Sequence, residues 1–394
     1  WCHTCLSVKS YVLTDPSLKP LADRAVFLAI DTDREDNAGF LGRHAVSVWP
    51  TFFVIDPTSD RVIGYWPGAA SAREMRSFIE DSLHSLEAQK TGAQRDPVLV
   101  HLAAAREAHA KRQYDRAASE YGQAVKKAEP GSARRSEALL GWVKTLKASG
   151  DTWRCARVGR ENIDEVKGAA LPADFSYAVL DCADRLAKGS AEQTAVRQAV
   201  IAKLRAVTGS PAPESSPDDR TDALAILADV LLTVGDKAGA RRANEQRLAI
   251  MEAAAAAASN PQMAATYDYG RALAYVALGR GEEAVKMLAQ REREMPDSYE
   301  PPARLADVLT ELKRYPEALA AVDRAIPRAY GPRKLRYLKL KAALQGALGD
   351  RAGQVATLKD EVAGYVALSA GQNNPEKLAE ARARLQGAER AAPR

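Results

Sequence analysis

The chain opens on two cysteines that are separated by two residues, in the stretch Trp1-Cys2-His3-Thr4-Cys5. A pair at this spacing can close into a small disulfide. Its reduced form can attack a disulfide in another protein, because the thiolate is the nucleophile in disulfide exchange. His3 and Thr4 lie between the two cysteines in the sequence, and a positive imidazole beside Cys2 would lower its pKa. We therefore predict a catalytic redox pair, Cys2 and Cys5, tuned by the two residues between them.

Two alternative roles for the cysteine pair stay open at this point. Two cysteines at this spacing also form half of a zinc site, but such a site needs two further ligands, and the candidates nearby in the sequence are His3 and His44. The pair could instead belong to a redox domain that has lost its activity. The sequence favours the redox pair over both, and we predict no metal and no cofactor other than the Cys2–Cys5 disulfide itself.

The residues after Cys5 predict the elements that would hold this pair. Val8, Val12 and Leu13 form one apolar side of a short helix, which places the cysteines at a helix N-terminus, where free N–H groups and the helix dipole stabilise a thiolate. Further elements follow in the order of a strand at 25–31, a polar helical stretch to about Arg43, hairpin strands at 47–57 and 61–68, and a helix at 71–86 with the capping-box pair Ser71 and Glu74.

In this order the motifs resemble the thioredoxin fold from its active-site helix to its C-terminus, over residues 1–89. The resemblance rests on the WCxxC motif, on the stretch FLAIDTD at 27–33, and on a Pro-Thr dipeptide that opens a hydrophobic strand. The best-matching branch is the C-terminal domain of the bacterial transmembrane disulfide reductase and related envelope thioredoxins. The resemblance implies that Pro50 is cis, and that a substrate strand is bound by Trp1, Trp49, Pro50 and Thr51.

Two features depart from the pattern of that family. Trp49 stands where a small or β-branched residue usually precedes the proline, which predicts a bulkier or partly blocked contact with substrate. The strands and helix that precede the cysteine pair in the family have no counterpart here, so we expect this sequence to be the downstream part of a longer product. The resemblance also implies a location in the bacterial cell envelope or periplasm, with the cytoplasm as the alternative.

From about residue 96 the strand signals end, and Ala-rich helical segments recur with a fixed period. Ala272 and Ala306 are 34 residues apart, and so are Ala284 and Ala318. The period and the small residues resemble the tetratricopeptide repeat, in which paired helices approach closely. A further clear copy lies at 103–130, and weaker copies are marked by Gly-Asp turns at Gly150, Gly235 and Gly349.

This second resemblance predicts an all-α solenoid over 96–208 and 221–394, interrupted by a flexible Pro- and Ser-rich loop at 209–220. Cys155 falls where a repeat needs a small residue between its helices, so we expect Cys155 and Cys182 to be core residues. A structural disulfide between them is the alternative, and it would require an oxidising compartment. A solenoid of this type implies a protein partner on its concave face.

The composition and the remaining motifs argue against several classes of function. The chain has 56 Lys and Arg against 51 Asp and Glu, a formal net charge of +5, which is too weak to predict a nucleic-acid partner. No apolar run approaches the roughly 20 residues that a membrane helix needs. The stretch GRGEEA at 279–284 imitates a dinucleotide-binding motif, but no strand precedes it.

These patterns predict an incomplete thioredoxin-like α/β domain fused to an all-α solenoid. The predicted activity is thiol–disulfide exchange on a protein or peptide substrate, with the solenoid binding a partner and raising its effective concentration near the cysteines. The competing hypothesis is an interaction scaffold without catalytic activity, in which the thioredoxin-like part is only a docking module.

Overall fold

A computed structural model describes residues 1–91 and 96–391 of the chain. The chain divides into two compact units, and each unit takes its residues from separate parts of the sequence. Unit 1 consists of Trp1, Leu28–Val46 and the residues from Ala255 onward, and unit 2 of Cys2–Phe27 and Ser47–Ala254. The predicted boundary after residue 89 therefore does not separate two units, because the residues before it pack with repeat helices.

The cysteine pair lies at the start of a short helix, as the sequence predicts. This helix, α1, spans His3–Ser7 and continues as a π-helical turn over Val8–Val12. Both valines of that turn are buried in the core of unit 2, whereas Leu13 is exposed. A 3₁₀ helix follows at Pro16–Leu21, and the next α-helix, α2, spans Ala38–Arg43 in unit 1.

Two antiparallel strands form the predicted hairpin, β1 at Thr51–Asp56 and β2 at Arg61–Pro67. The helix that follows, α3, spans Ala72–Thr91 and begins with the predicted capping box. The backbone N–H of Ser71 donates to Glu74 Oε2 at 2.7 Å, and the N–H of Glu74 donates to Ser71 Oγ at 3.3 Å. The hairpin and the start of this helix are therefore confirmed.

The strand predicted at 25–31 does not form, and this prediction was wrong. The segment has no regular secondary structure, and Val26 and Leu28 are 86% and 77% exposed. A strand needs a neighbour that pairs with its backbone N–H and C=O groups, and the sheet of the described residues consists of β1 and β2 alone. Composition indicates the strand but does not supply its partner. The described residues therefore do not assemble the expected thioredoxin-like α/β sheet.

The rest of unit 2 is helical, and most successive helices pack against each other. These helices are α4 (Pro97–Ala110), α5 (Tyr114–Lys127), α6 (Ala133–Ser149), α7 (Thr152–Asn162), α8 (Leu171–Asp184), α9 (Ala191–Gly209), α10 (Pro217–Thr233) and α11 (Lys237–Ala256). The predicted loop at 209–220 is shorter than expected, because α9 ends at Gly209 and α10 begins at Pro217. Ser216 and Asp219 form a capping box there, so the Ser- and Pro-rich sequence starts a helix.

Unit 1 is also built from helix pairs. Its helices after α2 are α12 (Pro261–Ala265), α13 (Asp268–Ala277), α14 (Gly281–Glu294), α15 (Glu300–Glu311), α16 (Tyr315–Ala325), α17 (Gly331–Ala347), α18 (Arg351–Ala367) and α19 (Pro375–Ala391). Ala272 and Ala306 are buried on the first helix of successive pairs, and Ala284 and Ala318 on the second. Small buried side chains allow the paired helices to pack closely, as the 34-residue period predicts. None of the helices in the described ranges is long and apolar enough to cross a membrane.

The turn inside a helix pair contains a residue with left-handed backbone conformation. Gly279 has φ 73° and Lys313, which is 34 residues later, has φ 59°. Gly150, Gly235 and Gly349 hold the same conformation in the weaker copies, with φ between 82° and 88°. Glycine adopts this conformation without a steric cost, and the aspartate that follows each of these three glycines caps the next helix. The Gly-Asp turns therefore share the backbone conformation of the turn at Gly279.

One apolar core runs through unit 2 from Val8 to Ala243. It includes Trp66 of the hairpin and Phe78 of α3, whose rings lie 5.7 Å apart, and it continues into the repeat helices. The residues around the cysteine pair are therefore supported by helical repeats where the predicted fold would supply a sheet.

Cys155 of α7 and Cys182 of α8 form a disulfide, with their Cα atoms 6.1 Å apart. The sequence favoured two unbonded core residues, with a disulfide between them as the alternative, and the structure contains the disulfide. Both cysteines are fully buried, so the core assignment was right and the unbonded state was wrong. Helix packing places the two side chains together, and the spacing of 27 residues alone could not show this.

The replacement of both Cys155 and Cys182 by Ala should lower the free energy of unfolding by about 2–4 kcal/mol, because the disulfide restricts the unfolded chain. Urea denaturation without reductant measures the change. The variant Cys2→Ser/Cys5→Ser is the matched control and should change the midpoint much less, since its disulfide closes a far shorter loop. Alkylation of the denatured, unreduced protein at Cys155 and Cys182 would contradict the bond directly.

Candidate redox site

Cys2 and Cys5 are joined in a disulfide with their Cα atoms 5.2 Å apart. Cys2 is the N-cap residue of α1, and the backbone N–H of Cys5 donates to the Sγ atom of Cys2 at 3.0 Å. Both cysteines are half-buried. The structure thus contains the oxidised form of the pair that the sequence singled out.

His3 is held by a carboxylate from a distant part of the chain. Its Nδ1 atom lies 3.0 Å from Oδ1 of Asp218, which is in the first turn of α10 and whose side chain is 5% exposed. Asp222 follows one helical turn later, and the ligand atoms of the three side chains lie within 4.8 Å of one another. The residue between the two cysteines is therefore anchored to a repeat helix of the same unit.

The carboxylates determine the charge of His3. Burial opposes the imidazolium, but the hydrogen bond that its Nδ1–H donates to Asp218 and the charges of Asp222 and Asp218 outweigh the effect of burial and raise the pKa of His3 to about 9. Burial and the charge of Asp218 raise the pKa of Asp222, whereas the positive charges of His3 and of Arg247 on α11 lower it. Arg247 also opposes the rise in the pKa of His3. His3 is accordingly a cation at neutral pH, as its predicted effect on the thiolate requires.

Thr4 contributes through the same imidazole. Its Oγ1 atom lies 3.4 Å from Nδ1 of His3, near the upper limit of a hydrogen bond. The structure therefore gives Thr4 a smaller influence on His3 than Asp218 has.

The side chains of His3, Asp218 and Asp222 offer one nitrogen and two carboxylate oxygens, which are ligand types that zinc accepts. His44, the other histidine considered from the sequence, belongs to unit 1 and is not a member of this group. The ion pair between His3 and Asp218 also holds these side chains together, and the prediction of no metal stays a prediction.

The residues around the predicted cis proline lie at the start of β1. The bond between Trp49 and Pro50 is cis, as the resemblance implies. The carbonyl of Pro50 accepts a hydrogen bond from the N–H of Gly68 at 2.9 Å, and the hydroxyl of Thr51 donates to the carbonyl of Val48 at 2.6 Å. These groups serve the local structure of the hairpin, while the side chain of Trp49 is 41% exposed. Their predicted contact with a substrate strand stays a prediction.

Trp1 is engaged with other side chains of unit 1. Its indole N–H donates to Oδ2 of Asp33 at 2.6 Å, and the guanidinium of Arg333 lies 3.7 Å from the centre of its ring. The predicted contact between Trp1 and a substrate would require these interactions to open.

Asp218 and Asp222 are not among the site residues predicted from the sequence. The signal SPDD at 216–219 predicts a helix start with acidic residues in its first turn, and we assigned it to a flexible loop instead. Even a correct helix assignment would not have paired these carboxylates with His3, because 215 residues separate His3 from Asp218.

Comparison with known proteins concerns the repeats. Residues 275–344 match the model of the tetratricopeptide repeat family, so the repeat class predicted from the sequence is confirmed over these residues. The search of curated proteins found no match to the chain.

Several solved structures are similar to parts of the chain. A tetratricopeptide repeat protein from Parabacteroides merdae has a TM-score of 0.45 at 11% identity, covering 74% of this chain and 99% of its own. A Rap protein complexed with competence and sporulation factor has a TM-score of 0.38 at 13% identity, covering 79% and 92%. The TPR2AB domain of yeast Sti1, in a complex with pHSP90, has a TM-score of 0.29 at 16% identity, covering 74% and 98%.

The replacement Asp218→Asn should return the pKa of His3 from about 9 toward its ordinary value of 6.5, because the negative charge that stabilises the imidazolium is lost. NMR titration of the histidine ring protons measures this directly. An unmodified chain in which His3 titrates near pH 6.5 would contradict the ion pair.

The same ion pair gives a pH dependence of stability. Since the pKa of His3 is raised on folding, its stabilisation is fully present below pH 6.5 and is lost as the pH rises through about 9. Asp218→Asn should lower the free energy of unfolding at pH 7 by about 1.5–3 kcal/mol and flatten its decline above pH 6.5. Asp23→Asn, at an exposed position of the same unit, is the matched control and should leave that decline unchanged.

Proposed function

We propose that this protein is a repeat scaffold that binds a protein or peptide partner on its helices. The observation that carries the proposal is the tetratricopeptide repeat match at 275–344, which coincides with helix pairs of 34-residue period. In such arrays each repeat contacts only its neighbours, which leaves an extended helical surface available for binding.

Unit 2 offers aromatic side chains of the kind that dominate binding energy. Trp153 at the start of α7 and Tyr177 on α8 are more than half exposed. The guanidinium of Arg157 lies 4.7 Å from the ring centre of Trp153, and the ammonium of Lys147 lies 5.5 Å from that of Tyr177. A ring that is already held by a cation loses little freedom on binding, so both rings suit a partner surface.

The scaffold function predicts a partner that contacts Trp153. A photo-reactive amino acid at this position should cross-link the partner in the native host, and the purified partner should then bind the purified chain. Trp153→Ala should weaken that binding about tenfold or more, since exposed Trp residues are frequent hot spots.

Leu232→Ala is the matched control for this experiment, because Leu232 is an exposed apolar residue of the same unit. It should leave the dissociation constant nearly unchanged, and so should Cys2→Ser/Cys5→Ser. The proposed scaffold surface would be contradicted if no captured partner binds the purified chain, or if Trp153→Ala and Leu232→Ala change the dissociation constant equally.

Thiol–disulfide exchange is the second candidate function, and the Cys2–Cys5 disulfide at the start of α1 favours it. In the reduced chain, the Cys2 thiolate would attack a substrate disulfide, forming a mixed disulfide and releasing one substrate thiolate, which takes up a proton. The Cys5 thiolate would then attack the Cys2 sulfur, re-forming the Cys2–Cys5 bond and releasing the second substrate thiolate. Two electrons pass to the substrate, and an external thiol such as glutathione would return the pair to its reduced form.

The imidazolium of His3 supports this chemistry electrostatically. A positive charge on His3, which lies between the two cysteines in sequence, would stabilise the thiolate form of the reduced pair and therefore favour nucleophilic attack at neutral pH. Asp218 and Asp222 keep that charge in place.

The redox function predicts a reversible two-electron transition of Cys2 and Cys5. The full chain is equilibrated with graded ratios of reduced and oxidised glutathione, and free thiols are trapped with a reagent that shifts the mass. A reduction potential of about −270 mV would indicate that the pair acts as a reductant, and one of about −120 mV that it acts as an oxidant. Cys2→Ser should abolish reduction of insulin disulfides, whereas Cys155→Ala/Cys182→Ala should retain it. A pair that never exchanges with glutathione would eliminate this function and leave the scaffold.

An oxidising compartment is the location that we propose for this chain. The buried Cys155–Cys182 disulfide supports it, because such bonds persist outside reducing compartments. The bacterial cell envelope, implied by the sequence resemblance, is the specific compartment proposed.

A further inference from the structure

A short acidic segment of unit 1, Asp31–Ala38, lies against the repeat helices of the same unit; we call it the docked segment. It contacts the N-terminal end of α17 and the loop between α18 and α19. The hydroxyl of Tyr330, the N-cap residue of α17, donates to Oδ2 of Asp31 at 2.8 Å. The guanidinium of Arg34 lies 5.1 Å from the ring centre of the same tyrosine.

Asp33 is the buried centre of this contact, with 7% of its surface exposed. Its Oδ2 atom accepts the hydrogen bond from the indole of Trp1, and Nε of Arg333 on α17 lies 3.7 Å from the same atom. Burial raises the pKa of Asp33, and the positive charge of Arg333 opposes that shift. The carboxylate of Asp33 is therefore bound by the guanidinium of Arg333 and the indole N–H of Trp1 together.

The loop between α18 and α19 binds the other side of the docked segment. The side-chain amide of Gln372 donates to the carbonyl of Thr32 at 2.9 Å, and the hydroxyl of Ser369 donates to Oε1 of Glu35 at 3.1 Å. One of these bonds is to the main chain of the segment, and such a bond is available to any sequence. The other selects for a carboxylate.

Two glycines allow the main chain of the docked segment to approach the repeats. A Cβ atom on Gly331 would lie 2.0 Å from the carbonyl oxygen of Asp33, and one on Gly371 would lie 2.0 Å from that of Ala38. Any larger residue at these positions would push the segment away. The surface is therefore shaped to receive a polypeptide backbone.

The acidic residues of the segment follow a pattern. Asp31, Asp33 and Glu35, at alternate positions, each contact unit 1 side chains, whereas Asp36 is exposed and has no hydrogen bond or ion pair among the described residues. Recognition thus combines alternate carboxylates with contacts to the backbone.

We propose that this surface, formed by Tyr330, Gly331, Arg333, Ser369, Gly371 and Gln372, is a binding site for an acidic peptide segment of a partner, and that residues 31–38 occupy it in the free protein. The inference rests on the scaffold function proposed for the repeats. The partner segment carries carboxylates at alternate positions and displaces the docked segment when it binds.

A partner can displace the docked segment because two of the side-chain hydrogen bonds that hold it are exposed to solvent, although Asp33 is buried. The hydrogen bonds of Tyr330 and Ser369 are solvent-exposed, and before α2 begins at Ala38 the segment has one short 3₁₀ turn at Glu35–Asn37. A segment of the same chemistry competes for the same donors. The docked segment is covalently connected to the site and therefore has a high effective concentration there. The apparent affinity of the site for a free partner segment is consequently lower than its affinity would be if the site were empty.

The test uses the full chain and a fluorescein-labelled peptide of residues 29–40 as the probe. Asp33→Asn in the chain weakens the docked segment and should tighten binding of the peptide about tenfold relative to the unmodified chain. Asp36→Asn removes one carboxylate from the same segment and is the matched control, with binding equal to that of the unmodified chain. Fluorescence anisotropy measures all three affinities.

Two further measurements identify the site. Gly331→Ala combined with Asp33→Asn should abolish peptide binding, because the added methyl group blocks the backbone approach. Hydrogen exchange of residues 31–38 in the unmodified chain should accelerate when saturating peptide is added. The proposal is overturned if the Asp33→Asn chain does not bind the peptide, if Gly331→Ala leaves that binding intact, or if exchange in the docked segment does not change.

These outcomes are separable from those for the scaffold function. If the partner captured through position 153 binds the unmodified and Asp33→Asn chains with the same dissociation constant, and the peptide binds neither, the scaffold function stands and the acidic site falls. If no partner is reconstituted but the peptide behaves as expected, the acidic site stands as a peptide-binding surface.

Discussion

The ion pair between His3 and Asp218 determines the environment of the cysteine pair. His3 lies between the two cysteines in sequence, and burial alone would lower the pKa of its imidazole. The carboxylates of Asp218 and Asp222 on α10 raise that pKa by more than burial lowers it. The charge available to a thiolate is thus fixed by a helix far along the chain. The sulfurs belong to the N-terminal cysteine pair, and the carboxylates that raise the pKa of His3 belong to α10.

The same dependence extends to packing. The π-helical turn after α1, the hairpin and α3 contribute to one core with the repeat helices of unit 2. A two-stranded hairpin has little stability by itself, so the helices that cover it carry the structural role that further strands have in larger sheets. The residues around the cysteine pair are in this way supported by helices instead of by a larger sheet.

Local signals were sufficient for much of this fold. The 34-residue spacing of alanines, the Ser71–Glu74 capping box and the hairpin strands were predicted because each depends on residues close in sequence or on a repeated pattern. The strand at 25–31 was predicted wrongly, since strand formation depends on a neighbour that composition does not specify. The Cys155–Cys182 bond and the Asp218 partner of His3 could not be derived, because each arises from the way helices distant in sequence pack together.

The disulfide between α7 and α8 also has a mechanical consequence. Helical repeat arrays lengthen under tension when individual helices unravel, and each residue released adds to the contour length of the chain. Residues 155–182 are closed by a covalent bond, so the 27-residue interval cannot contribute while that bond is intact. A chain stretched from its two ends would extend about 90 Å less in its oxidised form than in its reduced form. The bond therefore sets a limit on how far this part of the array can yield to force.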